Sequence, residues 1–113
     1  MVKKIEAVIR PERLEAVMKE LRELGYPGVT VTEVRGHGRQ KGVTHMWRGA
    51  EYRVEFLPKL KLEAVVLDED LHRVVSAVVR AARTGNIGDG KVFVYEVADA
   101  LRVRTGETGF NAI

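Results

Sequence analysis

The chain has 113 residues, 45% hydrophobic and 31% charged, with no cysteine, the length and balance of one folded domain with one core. Disulfides and thiolate chemistry are excluded, and no apolar run reaches the ~20 residues of a membrane helix. The formal charge of +3 is local, because residues 36–53 hold four bases (Arg39, Lys41, Arg48, Arg53) against Glu51, while the other 95 residues hold 15 bases and 15 acids. The opening Met1-Val2-Lys3-Lys4-Ile5-Glu6 meets an acid before any apolar run, unlike a secretory leader. A reducing cytoplasm is the expected compartment.

Residues 2–10 read as a strand, with Ile5, Ala7 and Ile9 on one face. Pro11 ends it and suits the first turn of a helix. Leu14, Val17, Met18, Leu21 and Leu24 then recur at spacings of three and four, so 12–24 reads as a helix stopped by Gly25. After the turn at Pro27-Gly28, the β-branched alternation of 29–35 predicts a second strand. Gly36 to Arg53 has no sustained period and is longer than an ordinary connection, so it reads as a long functional loop; residues 53–56 alternate weakly, as a strand extension would. Residues 61–67 read as a third core strand. Asp68 or Glu69 is placed to cap a helix over 69–82, with Leu71, Val74, Val75, Val78 and Ala82 as its stripe. Its valines leave it dependent on packing. Thr84-Gly85-Asn86 stops it, residues 91–97 form a fourth strand, and Leu101 to Arg104 reads as a short extended piece.

This order, β-α-β, long loop, β-α-β, predicts an α+β ferredoxin-like double βαβ sandwich with a long basic loop between strands 2 and 3. Both helices would cover one sheet face. Phe93 and Tyr95 lie opposite Val92 and Val94, so the second face is also apolar and predicts self-association.

Three groups carry candidate chemistry. Gly85-Asn86-Ile87-Gly88-Asp89-Gly90-Lys91 has the spacing of a phosphate loop. Val92, however, stands where a Ser or Thr should meet magnesium, and a strand follows where a helix should begin. The bland reading is a helix-to-strand turn, yet its glycines free N–H groups for an anion and Lys91 adds a cation. In extended chain, Arg102 and Arg104 share a face and suit a polyphosphate, against the alternative of a solvated edge. In Gly36-His37-Gly38-Arg39-Gln40-Lys41-Gly42, Gln40 offers an oxygen to a hard cation; Lys59, just beyond the loop, could meet a carboxylate. His37, His45 and His72 share no metal-ligand spacing, and Asp68 and Asp70 are explained by the start of a helix.

Two segments together resemble a known family. Thr84-Gly85-Asn86-Ile87-Gly88-Asp89-Gly90-Lys91-Val92-Phe93-Val94 and Trp47-Arg48-Gly49-Ala50-Glu51-Tyr52 are similar to the two signatures of the PII nitrogen-regulatory signal proteins. Residues 36–42 and 102–107 resemble the adjoining family segments. The resemblance implies a single PII-like domain over 1–113, with the effector loop at about 36–55, the nucleotide turn at about 84–91 and a C-terminal segment at 101–113. It implies a homotrimer binding ATP or ADP between subunits, through Thr30, Gly38, Gln40, Glu63, Ile87, Gly88, Asp89, Gly90, Lys91, Arg102 and Arg104. It implies 2-oxoglutarate beside Mg-ATP at Arg10, Gln40, Lys41, Gly42 and Lys59, with Gln40 reaching the magnesium. The family's targets are ammonium transporters and enzymes of glutamine or arginine metabolism, or their regulators, met through the loop carrying Arg48. Contact with a membrane is implied only through a transporter. Tyr52 matches the position that a uridylyltransferase can modify. Trp47 departs from the usual Tyr, and Ala50 removes the phosphorylatable Ser of some members. The expected role is a transducer and not an enzyme. The readings weighed against it are a slow ATPase on the Gly85–Lys91 turn, which lacks a general base, and a nucleic-acid module on the basic loop. Trp47 and Tyr52 are thin provision for base stacking.

Overall fold

A computed structural model of the chain describes residues 2–47 and 50–113, with side chains placed outside 37–55. The first strand, β1, runs Val2–Ile9. Pro11–Arg13 forms a 3-10 turn that leads into α1, Leu14–Glu23. Proline at the start of this turn loses no hydrogen bond, because the first N–H groups of a helix have no acceptor. Two long strands follow, β2 (Thr30–Trp47) and β3 (Ala50–Leu67), then a 3-10 turn at Asp68–Asp70, α2 (Leu71–Ala82) and β4 (Lys91–Glu96). The sheet order is β2-β3-β1-β4 with antiparallel neighbours throughout. This is the expected ferredoxin-like α+β arrangement.

Register explains the core. Ile5 pairs with Ala64 and Ala7 with Leu62, so one sheet face collects Ile5, Ala7, Ile9, Leu62, Ala64 and Val66. The helices lay Val17, Leu21, Val74 and Val78 on that face, all buried. Spacing of three and four along each helix puts these residues on one stripe. The helices are also tied end to end. Arg13 donates from Nε and Nη2 to the Ala81 carbonyl at 2.9 and 2.7 Å, satisfying one of the last carbonyls of α2.

The opposite face carries Lys4, Glu6, Glu63, Phe93 and Tyr95. Phe93 and Tyr95 are each 44% exposed, so the expected apolar character of this face holds on β4, while the neighbouring strands add the charged Lys4, Glu6 and Glu63. Val94 lies on the core side opposite Ile5 yet is 47% exposed, because β4 is the edge strand.

Three local expectations change. First, the segment read as irregular loop is a β-ribbon. Gly36 pairs with Leu57, the ladder continues through Gln40 and Arg53, shifts register before His45 and Tyr52, and ends at Trp47 and Ala50. Residues 50–59 of β3 pair only with β2. Main-chain bonding along a two-stranded ladder can hold such a ribbon without a sequence period. Second, the N-cap of α2 is Asp70 and not Asp68 or Glu69, and the Asp70 side chain makes no capping bond. Instead, Tyr26 donates its hydroxyl to Asp70 and accepts the Leu67 N–H at 3.2 Å, so tertiary contacts anchor this helix start. Third, Leu101–Arg104 is not an extended edge. Leu101 bridges Thr108 and the chain turns over 103–105. The Arg102 N–H donates to the Glu107 carbonyl, and the Gly106 N–H to the Arg102 carbonyl, both at 2.8 Å.

Candidate functional site: a clamped glycine turn and a separate sheet cleft

The turn between α2 and β4 is built around the Asp89 carboxylate. It accepts the N–H groups of Thr84 and Gly85, both at 2.8 Å, the Thr84 hydroxyl, and Nε of Arg10 at 3.0 Å. The Thr84 hydroxyl foremost, with the Thr84 N–H, Arg10 and the Gly85 N–H, holds this carboxyl well below the usual carboxylate range. Asp89 therefore points into its own turn. Arg10 also donates from Nη2 to the Ile87 carbonyl at 2.7 Å, and Lys59 donates to the Gly88 carbonyl. Burial, and then the Arg10 charge, lowers the Lys59 pKa. Two cations from β1's end and β3 thus converge on Gly88: a Cβ there would lie 3.2 Å from Arg10 Nη2 and 3.6 Å from Lys59 Nζ.

Glycine is required where this turn re-enters the sheet. Gly90 has φ +102°, and a Cβ would sit 1.7 Å from the Val8 carbonyl oxygen. Lys91 then pairs with Val8 and its side chain is exposed. Strand β4 begins here, so the turn has no helix N-terminus to offer a phosphate in the manner of a P-loop ATPase. Its anion-binding capacity lies in main-chain N–H groups and the adjacent cations.

Thr30 and Glu63 belong to a second place. They are direct partners across β2 and β3. They line a cleft of about 880 Å³ with Lys4, Val65, the Gly25–Gly28 turn and the C-terminal Phe110, Ala112 and Ile113. Lys4 pairs with Glu63 at 3.0 Å and lies 4.9 Å from the centre of the Tyr95 ring. The hydrogen bond from Lys4 lowers the Glu63 pKa and raises that of Lys4. The pair also offsets the repulsion between Glu6 and Glu63, which are direct cross-strand partners.

Arg102 and Arg104 form the third part. Arg102 Nη1 meets Glu107 Oε1 at 3.2 Å, and Arg104 is exposed on the hairpin turn. Residues 88–91 and 102–104 stand at opposite ends of β4, whose six residues span about 20 Å at ~3.3 Å each. The glycine turn thus stands apart, whereas the hairpin adjoins the Thr30/Glu63 cleft, because Arg102 Nη2 donates at 3.3 Å to the carbonyl of Ile113 in the cleft wall. The expected ligand and partner contacts of Gly38, Gln40, Lys41, Gly42, Arg48 and Tyr52 lie outside the described residues. Among the described residues, no three His, Cys, Asp or Glu side chains could jointly hold a metal ion.

Residues 2–107 match the family model described as Nitrogen regulatory protein P-II. The chain belongs to this family. The P-II protein of Rhizobium meliloti (strain 1021) is 55% identical over 112 residues, 99% of this chain and 100% of that one. That of Haemophilus influenzae (strain ATCC 51907 / DSM 11121 / KW20 / Rd) is also 55% identical over 112 residues, with the same coverage. The crystal structure of Arabidopsis thaliana PII bound to citrate superposes with a TM-score of 0.80 at 39% identity, covering 99% of this chain and 92% of that one. As a P-II protein the chain is a nitrogen-regulatory signal transducer and not an enzyme.

Three residues of the P-II chain have roles that the structure reveals: Thr84 clasps Asp89, Lys4 partners Glu63, and Tyr26 anchors a cleft wall. The first has a local signature, a Thr and an Asp bracketing a glycine turn with main-chain donors between them. The other two depend on strand register and helix docking, which local spacing does not reveal.

Proposed function

We propose that this chain is a homotrimeric cytoplasmic sensor, a single domain over 1–113, that binds ATP or ADP between subunits and 2-oxoglutarate beside Mg-ATP. The observation that carries the reading is the convergence of Arg10 and Lys59 on the Gly88 turn. Two cations share one place; Asp89 meets Arg10 through Nε alone, at 3.0 Å, and makes its remaining bonds within the turn. Such a place suits a small dianion. The separation of the glycine turn from the Thr30/Glu63 cleft and its neighbouring Arg102/Arg104 hairpin supports a nucleotide site completed by a second subunit, and the exposed Phe93 and Tyr95 offer a surface for association. The Gly88–Lys91 turn, Arg102 and Arg104 would meet phosphates, with Thr30 and Glu63 nearer the ribose and base. Magnesium would be met by Gln40 and phosphate oxygens, which is hard-oxygen chemistry.

Magnesium held by Gln40 and the γ-phosphate of ATP would supply a Lewis acid for the 2-oxo acid, so the two ligands should bind with positive coupling that ADP would not provide. The ribbon that includes Gln40, with Arg48 and Tyr52 toward its end, would carry the signal to an ammonium transporter or to nitrogen-metabolism enzymes and their regulators. A uridylyltransferase acting on Tyr52 would be a further partner. Isothermal titration tests the reading: 2-oxoglutarate should bind with Mg-ATP and fail with Mg-ADP or alone. Equal binding in all three conditions would refute it.

A further inference from the structure

The two halves of the glycine turn are held by different means. Its C-terminal half is fixed by the sheet, through the close approach of Gly90 to Val8 and the Val8–Lys91 pairing. Its N-terminal half is fixed by one carboxylate, because Asp89 gathers the Thr84 and Gly85 N–H groups and the Thr84 hydroxyl. The same carboxylate holds Arg10 Nε at 3.0 Å. That half also supplies the Ile87 carbonyl to Arg10 and the Gly88 carbonyl to Lys59. The orientations of both cations therefore depend on the Thr84–Asp89 clasp, although Thr84 stands at the end of α2 and touches neither cation.

We infer that Thr84 and Asp89 are positioning residues for dicarboxylate binding, presenting Arg10 and Lys59 to the ligand without contacting it. This rests on the proposed reading that Arg10 and Lys59 receive 2-oxoglutarate. Two like charges brought to one spot repel, and without the clasp the flexible arginine and lysine chains would separate into solvent. A dianion binding to dispersed cations must first reassemble them, which weakens its binding. Phosphate contacts at Gly90 and Lys91 are spared, since the sheet holds that part of the turn.

The experiment titrates trimeric protein in two arms, ATP alone and 2-oxoglutarate at saturating Mg-ATP. The variants are Thr84→Val, Thr84→Ser and Asp89→Asn. Valine replaces the hydroxyl, which also accepts the Asn86 N–H at 3.2 Å, by a methyl group and leaves the Thr84 N–H to Asp89; serine keeps the hydroxyl. Thr84→Val and Asp89→Asn should weaken 2-oxoglutarate binding about fivefold or more, the lower end of usual site-to-site coupling. For Thr84→Val, ATP affinity should remain within about twofold of wild type, whereas Asp89→Asn, lying within the proposed phosphate turn, is read in the 2-oxoglutarate arm alone; Thr84→Ser should bind both ligands as wild type does. Equal losses of both ligands would show that the clasp merely holds the turn together, and unchanged 2-oxoglutarate binding would show that the cations are positioned without it; either overturns the inference. If Asp89→Asn does not fold, the two Thr84 variants decide alone. Wild type failing to bind 2-oxoglutarate with Mg-ATP would instead overturn the underlying reading.

Discussion

Gly90→Ala isolates the steric requirement of the turn, and Gly85→Ala is its internal control. Both glycines have positive φ, +102° and +93°. Alanine at either position carries the backbone penalty of a side chain in this region, about 1–3 kcal/mol. At Gly85 nothing lies within 4 Å of the added Cβ, so that penalty should be the whole effect. At Gly90 the Cβ would lie 1.7 Å from the Val8 oxygen and 2.8 Å from the Val8 carbonyl carbon. Both contacts are main-chain atoms of β1, whose neighbouring Ile9 is in the core. Relief must come from moving β4 away from β1 or from rebuilding the turn. Losing a ladder hydrogen bond and core contact adds ~2 kcal/mol or more, so Gly90→Ala should cost at least about 3 kcal/mol, a large share of a typical 5–15 kcal/mol. Urea unfolding followed by circular dichroism, at one fixed protein concentration because association contributes to stability, gives both values. ATP titration should show Gly90→Ala binding far more weakly than Gly85→Ala. Equal destabilisation by the two variants, or near-wild-type stability of Gly90→Ala, would refute the reasoning.

Replacing Arg102 and Arg104 together by alanine should weaken ATP binding by about tenfold or more, since charge-assisted hydrogen bonds contribute about 1.5–3 kcal/mol each. Stability should change by less than about 1 kcal/mol, because the Arg102–Glu107 pair is an exposed hairpin contact; calorimetric titration and thermal melts check both. A second prediction concerns acid. The Asp89 carboxyl is held below its ordinary value of 3.8, and a lowered folded pKa gives stability that is complete above the unfolded value and lost as pH falls through the folded one. The stability difference between wild type and Asp89→Asn should thus be level above about pH 5 and shrink below about pH 4. Urea melts across that range measure it, and a difference that widens in acid would contradict the turn geometry.

Much of the fold was legible because it rests on local periodicity. The stripes through Val17 and Leu21 in α1, and Val74 and Val78 in α2, mark the faces that the sheet buries. Alternation at Ile5, Ala7 and Ile9 marks the matching sheet face. The family was legible through residues 84–94 and 47–52, and the structure shows one constraint behind the first of them: Gly90 has no room for a Cβ. The sequence also brought Arg10, Lys59 and Gly88 forward as ligand residues. It did not reveal the ribbon over Gly36–Gln40, where main-chain bonding leaves no side-chain pattern to read. It misread Arg102 and Arg104 as an extended pair, because the Leu101–Thr108 bridge that folds them into a hairpin closes through the main chain.

What the sequence determined by itself was therefore the order of elements, their buried faces and the family. Each depends on which residue types recur at short range. Tertiary structure decided what the charged groups do. Asp89 stands among the turn's glycines, yet its carboxylate became a clasp because Thr84 and Arg10 came to it from the ends of α2 and β1. Glu63 gained Lys4 as its counter-ion only through the register of β1 on β3. Charges carry no period, and their partners are chosen by distance in the folded chain.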